Sequence, residues 1–354
     1  MTEIHKILIK LISVSLGCDS IELPTNEIDW KNIIDLANQL EVDALAFDGY
    51  KQIHGLVGIQ SLSQVDLLEW IGQTLQIESQ NKLQLKSAIK LAEIYAKNNI
   101  CTYILKGLSI AQYYPNPSHR YSCDFDCFLV KDGESVQEEG NRLVEERGEE
   151  VDRNYYKNSS FVFNGLHVEN HRYCCSIKRG KRTADLEAYL ESLLFNYSPG
   201  YLDGSKLALP PLMFQAVFLI EHACAHFLYE KMSLKNICDW ACFRKANIDK
   251  LDWEEFYKVS EKYSLMEFVN TMNHLADYVI GIKKYTLLSP LEKKVLDDTL
   301  SERKLPPGKV FQRVWKTFGI IKSGWKFKYY SKESMVKELK QSVVAYFLDR
   351  TPSI

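Results

Sequence analysis

At 354 residues and 41.0 kDa the chain is long enough for two or three structural units, which excludes one isolated small domain. Hydrophobic residues make up 46% and charged residues 25%, a globular composition that excludes a disordered or fibrous chain. A formal net charge of −2 supplies no global attraction to nucleic acid or to an anionic membrane, so a partner of either kind requires a local patch.

In chain order, the apolar run over residues 7–18 ends in Leu16-Gly17-Cys18 and faintly resembles a lipoprotein cleavage site. Lys10 interrupts it and its spacing suits an amphipathic first helix, which is the expectation. No stretch approaches the roughly 20 apolar residues that cross a bilayer, so no membrane span is expected. Helical spacing continues over 29–40, with Asp29 placed as N-cap, over 42–54, weakened by Gly49, and over 63–98, where the imperfect period allows a kink.

The texture changes at Asn99. A β-branched and aromatic run at 100–105 reads as a strand, followed by Lys106-Gly107 and a helical stretch ending at Tyr113-Tyr114-Pro115-Asn116-Pro117. Residues 121–130 read as a second strand and 134–147 as a helix closed by Gly148. Strands at 160–163 and 167–169 flank Asn164-Gly165, a strong hairpin signal. From Leu209 the pattern is helical again, over 212–229, 234–244, 253–263 and 265–280, with Pro210-Pro211 at the entry. The expected class is α+β: a small mixed-sheet core at 99–204, an N-terminal helical region at 1–98 and a C-terminal helical domain at 205–354.

Nine cysteines at irregular spacing predict reduced thiols and a cytoplasmic protein rather than a disulfide framework. No CxxC pair is present, and two aspartates crowd Cys123 and Cys127, so structural zinc is not expected.

Those aspartates carry the chemistry. In a strand, residues two apart share a face, so Asp124 and Asp126 meet at one point while Phe125 packs the other way. Adjacent carboxylates repel unless a cation lies between them, and hard oxygen ligands select Mg²⁺ or Mn²⁺. Such a pair suits the two-ion clamp of phosphoryl transfer. At Lys106-Gly107 a glycine lets backbone N–H groups approach a phosphate and a lysine adds positive charge, and Arg120 is placed to meet a triphosphate.

The segment Leu105-Lys-Gly-Leu-Ser-Ile-Ala-Gln-Tyr-Tyr-Pro-Asn-Pro-Ser-His-Arg-Tyr-Ser-Cys-Asp-Phe-Asp-Cys-Phe-Leu-Val130 resembles the bacterial uncharacterised nucleotidyltransferase family of the DNA polymerase β superfamily. Its Leu-Lys-Gly, Tyr-Pro, Arg and Asp-x-Asp followed by apolar residues carry the likeness, which extends more weakly over about residues 30–280. His167-Val-Glu-Asn-His171 resembles the family's acid-x-His strand, and His222, His226 and Asp239-Trp240 stand where the family has such residues. The resemblance implies a nucleotidyltransferase core that moves a nucleoside monophosphate from an NTP, ATP being the expected donor, to an unidentified small-molecule, peptide or protein acceptor. It implies metal-binding and catalytic roles for Asp124, Asp126 and Glu169, and nucleotide contacts from Lys106, Gly107, Ser109 and Arg120. Two positions depart from the usual pattern: Lys106-Gly107-Leu108-Ser109 replaces Gly-Gly or Gly-Ser, and the third acid is Glu169 rather than Asp. The competing expectation is a catalytically inactive nucleotide- or partner-binding module of the same fold.

His222 and His226, four apart on an apolar helix, have the spacing of two metal ligands, but without a third in sight packing inside the helical domain is expected. His171 is placed to orient Glu169. Asp-Phe-Asp lacks the glycine of the kinase Asp-Phe-Gly, and no His-Arg-Asp loop accompanies it, which excludes a protein kinase. Residues 303–332 hold nine Lys or Arg and no acid, interleaved with aromatics. An amphipathic helix with solvated lysines is expected there, with contact to nucleic acid the less favoured reading.

Overall fold

The computed structural model describes residues 1–18, 28–54, 62–177, 180–281, 287–301 and 324–331. Three short helices open the chain: α1 (Glu3–Ser15), α2 (Trp30–Gln39) and α3 (Asp43–Ile53). Asp29 caps α2 by accepting from the Asn32 backbone N–H, as its position predicts. Gly49 does more than weaken α3: a Cβ there would lie 1.9 Å from the Leu11 carbonyl oxygen of α1. Glycine therefore permits the close crossing of α1 and α3. Gly49→Ala is expected to destabilise by about 1–3 kcal/mol through overpacking, whereas Gly72→Ala, exposed with nothing within 4 Å, should stabilise by about 0.5–1 kcal/mol. Urea unfolding midpoints shifting in opposite directions check this, and equal shifts refute it.

Helix α4 (Gln64–Ala96) runs unbroken for 33 residues, capped by Ser63, so the imperfect period marks no kink. Instead its inner face changes neighbours along its length. Trp70 packs with Phe47 and Tyr50 of α3, whereas Ala88, Leu91, Ala92 and Tyr95 pack on the sheet.

The sheet comprises β1 (Cys101–Ile104), β2 (Phe125–Lys131), β3 (Glu134–Ser135), β4 (Asn158–Phe163), β5 (Leu166–His171), β6 (Gly200–Tyr201) and β7 (Leu207–Leu209). Its order is β4-β5-β2-β1-β7-β6, with β3 pairing the far end of β2. The β2–β5 and β1–β7 pairs are parallel and the others antiparallel, a mixed sheet in an α+β fold. Asn164 and Gly165 both take positive φ, 48° and 77°, as a two-residue hairpin turn demands.

Four local expectations are corrected. Residues 134–135 are strand, not helix, because Asp132-Gly133 forms a second positive-φ turn, and α6 (Gln137–Glu145) starts after it. The strand expected from 121 begins at Phe125, its preceding residues being held from outside by Gln84, whose amide donates to the carbonyls of Ser122 and Cys123. Helix α7 (Lys181–Phe195) and strands β6 and β7 were not anticipated. Within α13 (Gly324–Tyr330), Lys326 is buried rather than solvated: it donates to the Phe227 carbonyl and pairs with Asp298 at 2.6 Å. Residues 303–323 and 332 lie outside the described residues.

Helices α8 (Leu212–Tyr229), α9 (Leu234–Ala246), α10 (Trp253–Lys262), α11 (Met266–Val279) and α12 (Pro290–Leu300) complete the second helical region, whose core is continuous with that of α1–α3. Among the described residues α8 is long and apolar enough to cross a membrane, but 67% of it is buried inside the protein.

His119, in the 3₁₀ turn Pro117–His119, joins α3 to α4. Its Nδ1 lies 2.5 Å from Asp48 and its Nε2 2.7 Å from Glu78, with Lys51 also on Asp48 at 2.8 Å and Asp43 nearby. Burial opposes the imidazolium, yet the hydrogen bonds and charges of Asp48 and Glu78 raise its pKa above the ordinary histidine value. Stabilisation from a raised pKa is complete below the unfolded value and fades as pH rises through the folded one; the depressed Asp48 carboxyl loses its share only on acidification. Between about pH 6 and pH 9 the wild type should therefore lose more stability than His119→Gln in urea titrations. Identical pH slopes would refute this.

Candidate active site

Strand alternation places the acids. Phe125, Cys127 and Leu129 of β2 face α4, and Phe128 and Val130 join the opposite core, so Asp126 projects on the face away from α4. On the adjacent parallel strand Glu169 stands directly beside Asp126, and His171 follows two residues later on the same face. Ligand atoms of Asp126, Glu169 and His171 lie within 4.8 Å of one another, the one such trio among the described residues.

Asp126 is buried and multiply held. Lys106 Nζ lies 3.1 Å from its Oδ2 and His171 Nε2 3.1 Å from its Oδ1, the same nitrogen standing 3.5 Å from Glu169. Burial would raise the Asp126 pKa, but the Lys106 charge and the His171 hydrogen bond hold it well below the usual carboxylate range. Lys106 is correspondingly raised: Asp126 and Glu169 outweigh the burial that disfavours its charge. His171 Nδ1 faces the Tyr173 carbonyl at 3.2 Å, which leaves Nε2 for the acids. Its contact with Asp126 is thus closer than the expected one with Glu169.

Asp124 lies outside the trio, just before β2, partly exposed and paired with His167 at 3.0 Å. Burial, then repulsion from Asp126 and Glu169, raises its pKa. Lys106 and Gly107 lie between β1 and the short α5 (Leu108–Ala111); Gly107 adopts φ 69°, ψ −108°, a conformation open to glycine, and lets the chain turn against Ser122 and Asp124. Lys106, Gly107, Asp124 and Asp126 line one wall of a cavity of about 550 Å³. Ser109 is not part of that lining; its hydroxyl is buried and has no hydrogen-bond partner among the described residues.

Arg120 also borders the cavity, but its guanidinium is engaged. It donates from Nε and Nη2 to both oxygens of Asp239 on α9, at 2.7 and 2.8 Å, and the Tyr114 hydroxyl adds a third donor at 2.7 Å. Burial opposes ionisation of Asp239, and Arg120 more than offsets it. Helix α8 supplies further lining: His222, whose ring packs on the buried Phe218 as expected, and His226 both reach the cavity, with Glu230 just beyond the helix end.

The family model described as Uncharacterised nucleotidyltransferase matches residues 26–281. The chain belongs to this uncharacterised nucleotidyltransferase family. The match spans α2 to the end of α11 and so includes all the cavity-lining residues but Ser301. No curated protein and no solved structure matches the chain. At a coarse level this nucleotidyltransferase is a transferase, and its trio of Asp126, Glu169 and His171 could hold a divalent ion. Sequence reasoning missed His167 as the partner of Asp124 and Asp239 as the partner of Arg120. The first had a signal, a histidine two residues before Glu169 on a strand; the second, 119 residues away, had none.

Proposed function

We propose that this nucleotidyltransferase uses Mg²⁺ or Mn²⁺ to transfer a nucleoside monophosphate from an NTP, with ATP the expected donor, to a hydroxyl or phosphate group of a small-molecule, peptide or protein acceptor. The observation that carries the reading is Asp126 beside Glu169 on parallel strands, with Lys106 Nζ 3.1 Å from Asp126 at the cavity wall.

The residues fit a hard divalent ion: Asp126 stays ionised, Glu169 adds oxygen donors, and His171 is fixed with Nε2 toward both. Asp124, across the Gly107 turn, supplies further oxygen ligands. When bound, the ions would stabilise charge on the attacking and leaving oxygens. The chain's own residues do the rest. Lys106 exchanges its Asp126 partner for the polyphosphate, and Gly107 lets backbone approach it. Glu169 accepts the acceptor's proton as its oxygen bonds to the α-phosphorus, and the α–β anhydride bond breaks to release pyrophosphate. Arg120, anchored by Asp239, holds the loop before Asp124 and adds positive potential at the cavity.

Calorimetric titration of each NTP with and without Mg²⁺ tests the proposal. Metal-dependent binding of one or more NTPs is expected, with pyrophosphate release when an isotope-labelled NTP meets a cell extract holding the acceptor. Binding without any release would favour the inactive nucleotide-binding module, and no metal-dependent binding would end both readings.

A further inference from the structure

The α8 wall of the cavity carries a second cluster, built from nitrogen rather than oxygen. His222 and His226 stand one helical turn apart, with ring centroids 4.4 Å apart and their Nε2 atoms separated by 3.0 Å. Phe218 stacks on the His222 ring from the preceding turn, which limits its rotation. Glu230, a further turn along, lies 3.0 Å from His226 Nδ1. That carboxylate accepts the Nδ1–H of His226 and so leaves the Nε2 lone pair directed at its neighbour.

Two imidazole nitrogens at this separation cannot both carry hydrogen. Either one proton lies between them or an ion does. A metal bound to both at the usual Zn–N length of about 2.0–2.1 Å would subtend an angle near a right angle, as adjacent positions of a coordination shell do. The carboxylate on the far nitrogen is the arrangement that orients histidine ligands in metal sites. Both rings and Glu230 border the cavity, so the remaining positions open to water or to an anionic oxygen of a bound molecule.

We propose that His222 and His226 form a bidentate site for a divalent ion of the zinc and cobalt class, with Glu230 orienting His226. Imidazole nitrogen favours Zn²⁺ or Co²⁺ over Mg²⁺, so a pair of imidazoles selects the softer ion more strongly than the trio, which has two carboxylates and one imidazole. The inference stands independently of nucleotidyl transfer.

Zinc calorimetry on the full chain, in excess Mg²⁺ to saturate the acids, tests it. The wild type is expected to bind one more Zn²⁺ than the His222→Gln/His226→Gln double variant, whose remaining binding reports the trio. Glu230→Gln, at a half-exposed position, should keep the stoichiometry and weaken affinity by about 10–100-fold. With Co²⁺ as probe, the near-ultraviolet spectrum should lack the sulfur charge-transfer band that cysteine ligation would give. Unchanged Zn²⁺ binding in the double variant, an unaltered affinity in Glu230→Gln, or a thiolate band would each overturn the site. Because Mg²⁺-dependent NTP binding is measured separately, loss of one reading leaves the other intact.

Discussion

Asp126→Asn is expected to lower NTP turnover, read as pyrophosphate release with Mg²⁺, by at least about a thousandfold, the loss of some 4 kcal/mol of transition-state stabilisation by a metal ligand. The amide nearly preserves the shape of the carboxyl but removes the charge that Lys106 and His171 hold in place. It also leaves Lys106 facing Glu169 alone, so NTP binding that depends on Mg²⁺ should weaken at least about tenfold, the equivalent of some 1.4 kcal/mol. A folding defect is separable from a chemical one. Glu169→Gln, less buried, should reproduce the loss of turnover with a smaller change in unfolding midpoint. Turnover retained within about tenfold in both variants would remove the acids from the mechanism.

The largest effect on stability is expected at Arg120. Arg120→Met leaves the buried Asp239 carboxylate with only the Tyr114 hydroxyl, and uncompensated charge of this kind costs about 3–5 kcal/mol. The cost is one of desolvation, not of attraction lost. Arg120→Met/Asp239→Leu should therefore recover much of the stability, since the second substitution removes the stranded charge. Urea unfolding of the two single variants and the double variant measures the coupling. A single-variant loss under about 1 kcal/mol, typical of a surface pair, would show that the pair is not structural. The consequence reaches the site because the Arg120 carbonyl accepts from Asn81 of α4 while its side chain grips α9. One residue thus fixes the loop before Asp124 between two helices, and loosening it should also lower turnover.

Much of the sheet and its flanking helices was legible because the rules are local. Side-chain alternation put Asp126 and Phe125 on opposite faces, Asn164-Gly165 specified its hairpin, and Asp29 and Ser63 their helix starts. Where local signals competed, the reading failed. Gly148 closed a helix read back to 134, while Asp132-Gly133, the same kind of turn as Asn164-Gly165, makes a hairpin of β2 and β3 and prevailed.

By itself the sequence determined an α+β chain with Lys106-Gly107 at a strand end and an acid pair at positions 124 and 126, because two-residue and 3.6-residue periods are properties of the backbone. Only the tertiary structure decided which acids meet. Parallel pairing of β2 with β5 set Glu169 and His171 beside Asp126 and left Asp124 to His167, and helix packing brought Asp239 to Arg120 and the α8 histidines to the same cavity. Such partners are chosen by strand register and by the desolvation of buried charge, which act between segments far apart in the chain and leave no periodic trace within either one.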